Sequence, residues 1–354
     1  MRIVITGASG NVGTALLRRL SGHGHELLGV CRRPPGDAGP YAGVGWTSLD
    51  LAGRGVLDAL RPVVRGADAV VHLAWGFQPS RDVNYLDRLG VGGTRAVIEA
   101  VQAEGVPHLV HMSSVGAYSP GGQERVAEAW PTEGIDSLPY SREKVAAERL
   151  LDDHERRRPD GTAVARMRPG LIVQRDAGSA LLRYGVPALL PSALLRHVPV
   201  LPLDEDLVVP IVHTDDVADA FARVLDQRAT GAFNLAADPP VTRDLIAEVL
   251  GARPVHVPKA ALRAAADLAW RAGLQPLDPG WIDLAFAIPL MDCTRARTEL
   301  GWAPTVDARA ALTQVVEGMA DGASTSSPAL RPRTVFAEVS ALLRRGNIAT
   351  RTLP

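Results

Sequence analysis

Up to Pro169, short β-branched and apolar runs alternate with longer stretches whose apolar positions recur at helical spacing. The runs RIVI at 2–5, ELLGVC at 26–31, AVVHL at 69–73, LVHMS at 109–113 and AVARMR at 163–168 read as strands. NVGTALLRRL at 11–20 and TRAVIEAVQAEG at 94–105 read as amphipathic helices. Such alternation predicts an α/β protein with a doubly wound parallel sheet and helices on both faces. Beyond Pro169 the regularity fails. Proline-rich segments lead to a strand PIV at 210–212, a helix from Asp215 to about Asp226 and a strand FNLA at 233–236. Helical patterns follow at 242–250, 259–272 and 307–319, and no internal repeat interrupts the order. The run DGASTSSPALRPR at 321–333 reads as a low-complexity linker. After it, VFAEVSALLRR at 335–345 is either a docking helix or a frayed tail.

Composition narrows the class. A net charge of −1 over 354 residues lacks the basic surplus of a nucleic-acid binder. Two cysteines, Cys31 and Cys293, cannot form a disulfide framework, which points to a reducing cytosol. The start MRIVITG carries no signal-peptide pattern. The most apolar stretch, VPALLPSALLRHVPVLPL at 186–203, contains four prolines, Arg196 and His197, so it cannot span a bilayer. The expected setting is cytoplasmic, without membrane or nucleic-acid partner. No group of histidine, cysteine and carboxylate has metal-site spacing, so no metal is expected.

The first strand runs into TGASGNVG, which spaces Gly7, Gly10 and Gly13 as G-x-x-G-x-x-G before an amphipathic helix. Glycine permits the tight turn, and the helix N-terminus offers N–H groups and a dipole to a pyrophosphate. In that strand-to-helix context the motif predicts a dinucleotide site. The second strand ends Val30-Cys31-Arg32-Arg33. An acid at this place grips the ribose of NAD, whereas an arginine accommodates the 2′-phosphate of NADP. With Cys31 where the acid would stand and Arg32 next, NADP(H) is favoured over NAD(H). Asp50 and Leu51, after the third strand, are candidates to contact adenine.

Of 38 basic residues other than histidine, only Lys144 and Lys259 are lysine. Lys144 stands four residues after Tyr140 in the helical run YSREKVAAERLL, so the two share a face. A lysine one turn away would stabilise a phenolate, and its compact ammonium would hold the nicotinamide ribose in a way guanidinium copies badly. Upstream, Ser114 in HMSSVGAYS follows a strand and can hold a substrate oxygen while tyrosine passes the proton. Its plain alternative is a turn cap.

Together these residues resemble the extended short-chain dehydrogenase/reductase superfamily, in the epimerase/dehydratase family. The resemblance covers residues 1 to about 320 and rests on the glycine turn, VVHLAW at 70–75, the SSVGAY block, YSREK, RMRPG at 166–170, IVHTDDVADAF at 211–221 and TRARTELGWAP at 294–304. It implies a Rossmann-type domain from 1–168 plus about 211–237. A smaller, discontinuous substrate domain would come from about 169–210 and 238–320, with 321–354 a linker and tail. It implies Ser114, Tyr140 and Lys144 as the catalytic set. The implied cofactor contacts are Gly7, Ser9, Gly10, Asn11, Val12 and Gly13 in the turn, then Arg32, Asp50, Leu51, Leu73, Ala74, Tyr140, Lys144, Pro169 and Gly170. Relatives often dimerise through two helices of the first domain.

Departures from the family pattern narrow the reaction. Many relatives place an asparagine before V-x-G-T to support a proton-relay water, and this chain has Gly90 there. The acidic pair of sugar 4,6-dehydratases is replaced by Val115 and Gly116. The basic stretch that grips a nucleotide-sugar diphosphate is replaced by LAFAIPLMD at 284–292, and IVQRD after the R-P-G supplies Arg175 instead. Trp75 and Phe77 are candidates for an apolar substrate wall or for core. His213 and Asp216 read as fasteners between domains. The expected activity is hydride transfer between nicotinamide and a ketone or secondary alcohol of a small, partly apolar substrate. The alternatives are an NAD-dependent nucleotide-sugar epimerase and a non-catalytic dinucleotide-sensing protein.

Overall fold

The computed structural model describes residues 1–76, 82–185, 192–272 and 278–332. Phe77, residues 186–191 of the proline-rich run and the segment 335–345 therefore lie outside the described residues.

Seven strands form one parallel sheet: β1 (Arg2–Thr6), β2 (Glu26–Cys31), β3 (Gly45–Ser48), β4 (Ala69–His72), β5 (His108–Met112), β6 (Ala163–Pro169) and β7 (Gly231–Leu235). Their order is β3-β2-β1-β4-β5-β6-β7. Each strand expected before Pro169 is present within a residue or two of its expected ends. The order reverses between β1 and β4, and in doubly wound sheets the crevice at that reversal holds the ligand.

Alternation along β1 builds two cores. Ile3 and Ile5 face Leu16 and Leu17 of helix α1 (Asn11–Leu20), together with Phe221 and Leu225 of a later helix. Val4 points the other way, toward Leu60 and Val64 of α2 (Val56–Val64), Val97 and Val101 of α3 (Gly93–Ala103) and Leu151 of α4 (Pro139–Arg157). A third, smaller cluster lies in the second half of the chain. There Val173, Ile211 and Val241 meet Leu245, Ala311 and Val315.

Asp216, in α5 (Thr214–Gln227), ties the late residues to the sheet. Its carboxylate accepts from the Thr305 N–H at 2.8 Å and hydroxyl at 2.6 Å and from the Val306 N–H at 3.1 Å, while its carbonyl accepts from the fully buried Trp302 indole at 2.8 Å. The expected linker behaves otherwise than its composition suggests. After α6 (Ala308–Asp321) the chain turns back, and Ser327 and Leu330 are buried. The Ser327 hydroxyl donates to the carbonyl of Ser9 in the glycine-rich turn. Small residues allowed this close seating, and their count alone could not distinguish it from a solvated spacer. Among the described residues no helix is long and apolar enough to cross a membrane, and no group of three potential metal ligands forms.

Candidate functional site

The glycine turn closes where β1 ends. Gly7 has φ +71° and donates its N–H to the Val30 carbonyl at 2.8 Å. A Cβ on it would lie 2.7 Å from the Ala74 nitrogen, and one on Gly13 would lie 2.4 Å from the Gly7 carbonyl oxygen. Only glycine fits either place. Asn11 is pinned from outside by Gln174, whose amide donates to Asn11 Oδ1 at 2.6 Å. That glutamine belongs to the IVQRD block, and nothing in its type or spacing marked it beforehand.

Beside the turn lies a cavity of about 200 Å3 lined by Gly7, Ser9, Gly10, Arg32, Leu73 and Ala74, among others. Leu51 also lines it, as do Trp75, Pro328 and Ala329. Asp50 does not. Its carboxylate accepts from the Ala52 N–H at 3.0 Å and from the Tyr85 hydroxyl at 3.3 Å. Arg32 in turn donates to Tyr85 at 3.0 Å, so Arg32, Tyr85 and Asp50 form a chain at the outer end of the cavity. Burial and the neighbouring Asp50 outweigh Arg32 and push the Tyr85 hydroxyl above its ordinary range. Burial likewise pushes the Cys31 thiol up. An uncharged wall, two guanidiniums and glycine-only backbone fit the adenosine and pyrophosphate of a dinucleotide.

Ser114, Tyr140 and Lys144 come together beyond the ends of β4 and β5. Ser114 caps a short turn, its Oγ accepting from the Gly116 N–H at 3.0 Å, and it is hydrogen-bonded to Tyr140. Pro139 opens α4 at the first helical position. The Ser141 hydroxyl fastens this start by donating to the Gly116 carbonyl at 2.7 Å. A Cβ on Gly116 would lie 3.2 Å from the Tyr140 ring, a tight contact that the glycine avoids.

The electrostatics differ from the expectation that lysine draws the tyrosine down. Burial pushes the Tyr140 phenol up to about 12, against the Ser114 bond, while burial pushes Lys144 down to about 7, against Glu148 and Glu143. The ammonium lies 5.8 Å from the Tyr140 ring centre and donates to the Met112 carbonyl at 2.9 Å. Desolvation is the largest influence on both groups.

Trp75 is turned inward. Its ring centre is 3.4 Å from Lys144 Nζ and its ring stands edge-on to Tyr140 at 6.5 Å. On the other side of Tyr140 lies Trp281, ring centres 5.0 Å apart. Sequence reasoning missed Trp281 and Tyr85, since neither sits in a motif. Pro169 and Gly170 close β6, where a Cβ on Gly170 would meet the Pro210 carbonyl oxygen at 2.4 Å. Arg175 is bound instead to Asp321, which also takes Arg196. Behind the site Arg168, of the RMRPG block, is buried against Glu148 of α4.

A parallel sheet reversing beside a glycine-only turn, with serine, tyrosine and lysine at the crevice, defines a dinucleotide-binding Rossmann protein. Residues 3–236 match the NAD dependent epimerase/dehydratase family, and the chain belongs to it. The uncharacterized protein Rv2047c of Mycobacterium tuberculosis is 30% identical over 317 residues, which cover 88% of this chain and 29% of that protein. The chain thus spans under a third of that relative's length. The 3-diazoavenalumate denitrifying reductase of a Streptomyces species is 28% identical over 326 residues, covering 86% of this chain and 96% of the relative. The UDP-glucose 4-epimerase of Thermus thermophilus, solved with NAD, shares the fold: TM-score 0.67 at 23% identity, covering 91% of this chain and all of that one.

Proposed function

We propose that the protein is an NADP(H)-dependent reductase or dehydrogenase acting on a ketone or secondary alcohol of a small, partly apolar substrate. The observation that supports this reading is the meeting of Ser114, Tyr140 and Lys144 near a cavity beside the glycine turn that Arg32 lines and Asp50 does not. When bound, the nicotinamide supplies or accepts the hydride. Ser114 holds the substrate oxygen, and the Tyr140 hydroxyl gives that oxygen its proton in reduction and takes it back in oxidation. Lys144 binds ribose hydroxyls and, once drawn toward the tyrosine, stabilises its phenolate. The aromatic flank of Trp281 suits an apolar substrate body. We assign the substrate side to about 169–210 and 238–320.

One observation favours the epimerase alternative. Arg32 already bonds Tyr85, which bonds Asp50, so the guanidinium must exchange a partner to take a phosphate. The test is a fluorescence titration of dialysed protein with NADPH and NADH, repeated on Arg32→Ala. The expected result is a preference for NADPH of about tenfold or more, equal to about 1.4 kcal/mol, lost in the variant. Equal or tighter NADH binding overturns the NADP assignment and puts the epimerase first.

A further inference from the structure

Deepening the reading above and resting on its assignment of Lys144, we propose that Trp75 is a positioning residue for Lys144: seated through the space left by Gly90, its indole covers the ammonium against water and holds it on the Met112 carbonyl.

Gly90 lies inside a π-helical turn spanning Arg88–Gly92. A Cβ there would lie 3.0, 3.2 and 3.3 Å from three atoms of the Trp75 ring. The Trp75 indole thus occupies the space that a side chain at position 90 would need. The turn is held in this form from behind: Thr94 donates to the Gly90 carbonyl at 2.7 Å, His72 meets Thr94 at 3.0 Å, and His72 meets Thr6 at 2.7 Å. A π-helical turn of this kind commonly marks a functional site.

The indole is used for its face. Its Nε1 is buried with no hydrogen-bond partner, while the ring centre sits 3.4 Å from Lys144 Nζ. That is cation–π distance. An ammonium has three donor hydrogens, and among the described residues Lys144 uses one, on Met112. The charged and titratable groups around it are Tyr140, Glu143 and Glu148 on its own helix, His72 on β4 and His111 on β5, with Asp87 facing Glu143 and Arg166 facing His111. Both ring nitrogens of His111 and one oxygen of Glu143 are buried without partners. The ammonium is therefore buried, Lys144 being 2% exposed, with the Trp75 face as one wall of its enclosure. Burying an ammonium costs more than one aromatic face returns, so the wall acts mainly by excluding water. Trp75 thereby sets the pH range in which Lys144 carries its charge.

The sparse lysine content makes this measurable. Cofactor-free full-length protein labelled with ε-13C lysine gives two signals, Lys144 and Lys259, assigned with Lys259→Arg. In the wild type the Lys144 signal is expected to titrate near 7, since burial lowers it to about that value. Trp75→Ala is expected to raise that midpoint by about one unit or more as water enters, and Trp75→Phe to leave it within about half a unit. Gly90→Ala, which pushes the indole edge, is expected to raise it as well. The Lys259 signal, its ammonium 5.3 Å from the Phe286 ring, reports whether each variant is folded. An unchanged or lowered Lys144 midpoint in Trp75→Ala, or in Gly90→Ala should the first variant fail to fold, overturns the proposal. Dinucleotide binding is measured separately on the same samples. Protein that binds neither NADPH nor NADH while Lys144 responds as expected sinks the functional reading and leaves Trp75 in its role.

Discussion

Arg168 and Glu148 meet inside the protein on two parallel hydrogen bonds, 2.8 and 3.0 Å long, one from β6 and the other from the helix that carries Tyr140 and Lys144. The same guanidinium donates to the Tyr118 hydroxyl at 3.0 Å and the Glu128 carbonyl at 2.8 Å, and Ser113 donates to Glu148 at 2.6 Å. The pair ties the helix that carries Tyr140 to the sheet. A bidentate pair between buried partners fixes both distance and angle.

Removing one partner leaves the other charge buried and unmatched. Glu148→Ala is expected to lower stability by about 3–5 kcal/mol, while the double change Glu148→Leu with Arg168→Met recovers most of the loss. Urea midpoints compared at equal slope decide it. A single-variant cost under about 1 kcal/mol would show that the pair is not what anchors the helix.

Lys144 works against stability, and the sign follows from its shift. Burial lowers its folded value from 10.5 to about 7, so between those two pH values the unfolded chain binds more protons than the folded one. Stability therefore rises with pH across that window. Lys144→Met, which removes the buried charge, is expected to stabilise the protein by on the order of 4 kcal/mol at pH 7 and by less than about 1 kcal/mol at pH 10. Thermal melts at the two pH values check this. An equal gain at both would mean that the lysine is hydrated in the folded protein.

The segment after α6 stands over the cofactor turn, with Pro328 and Ala329 in the cavity wall and Ser327 on the Ser9 carbonyl. The space beneath, about 200 Å3, is smaller than the roughly 300–1,000 Å3 usual for a small-molecule site. We expect this strap to slow dinucleotide entry. Truncation after Ala323 is expected to speed NADPH association several-fold in stopped-flow fluorescence. An unchanged rate would show that entry takes another route.

The parts of this architecture that were legible from sequence are those where local chemistry and tertiary role coincide. The β1 run and the glycines after it were readable because a strand, a tight turn and a helix each leave a local pattern. Tyr140 and Lys144 were readable because tyrosine and lysine are few in this chain and their spacing is helical, while Ser114 was readable only by its place after a strand. Trp281, Tyr85 and Gln174 were not, since each acts across a long stretch of chain and its type is common in cores and surfaces. The strap was misread for a physical reason. Serine, alanine and proline are small enough to lie close on a backbone turn, and the same smallness makes them resemble a spacer. The field at Tyr140 was also misjudged, because spacing along a helix says nothing about how dry the surroundings are.

The sheet's last strand has a consequence for how the chain is made. β7 pairs with β6 from Gly231 opposite Ala165 to Leu235 opposite Pro169, and the whole of the segment between them must be synthesised first. Until then the outer edge of β6, a run of buried residues from Val164 to Pro169, has its backbone groups unpaired. An open, apolar strand edge invites pairing with another chain. Pairing with β7 therefore also closes an edge that would otherwise invite association during synthesis.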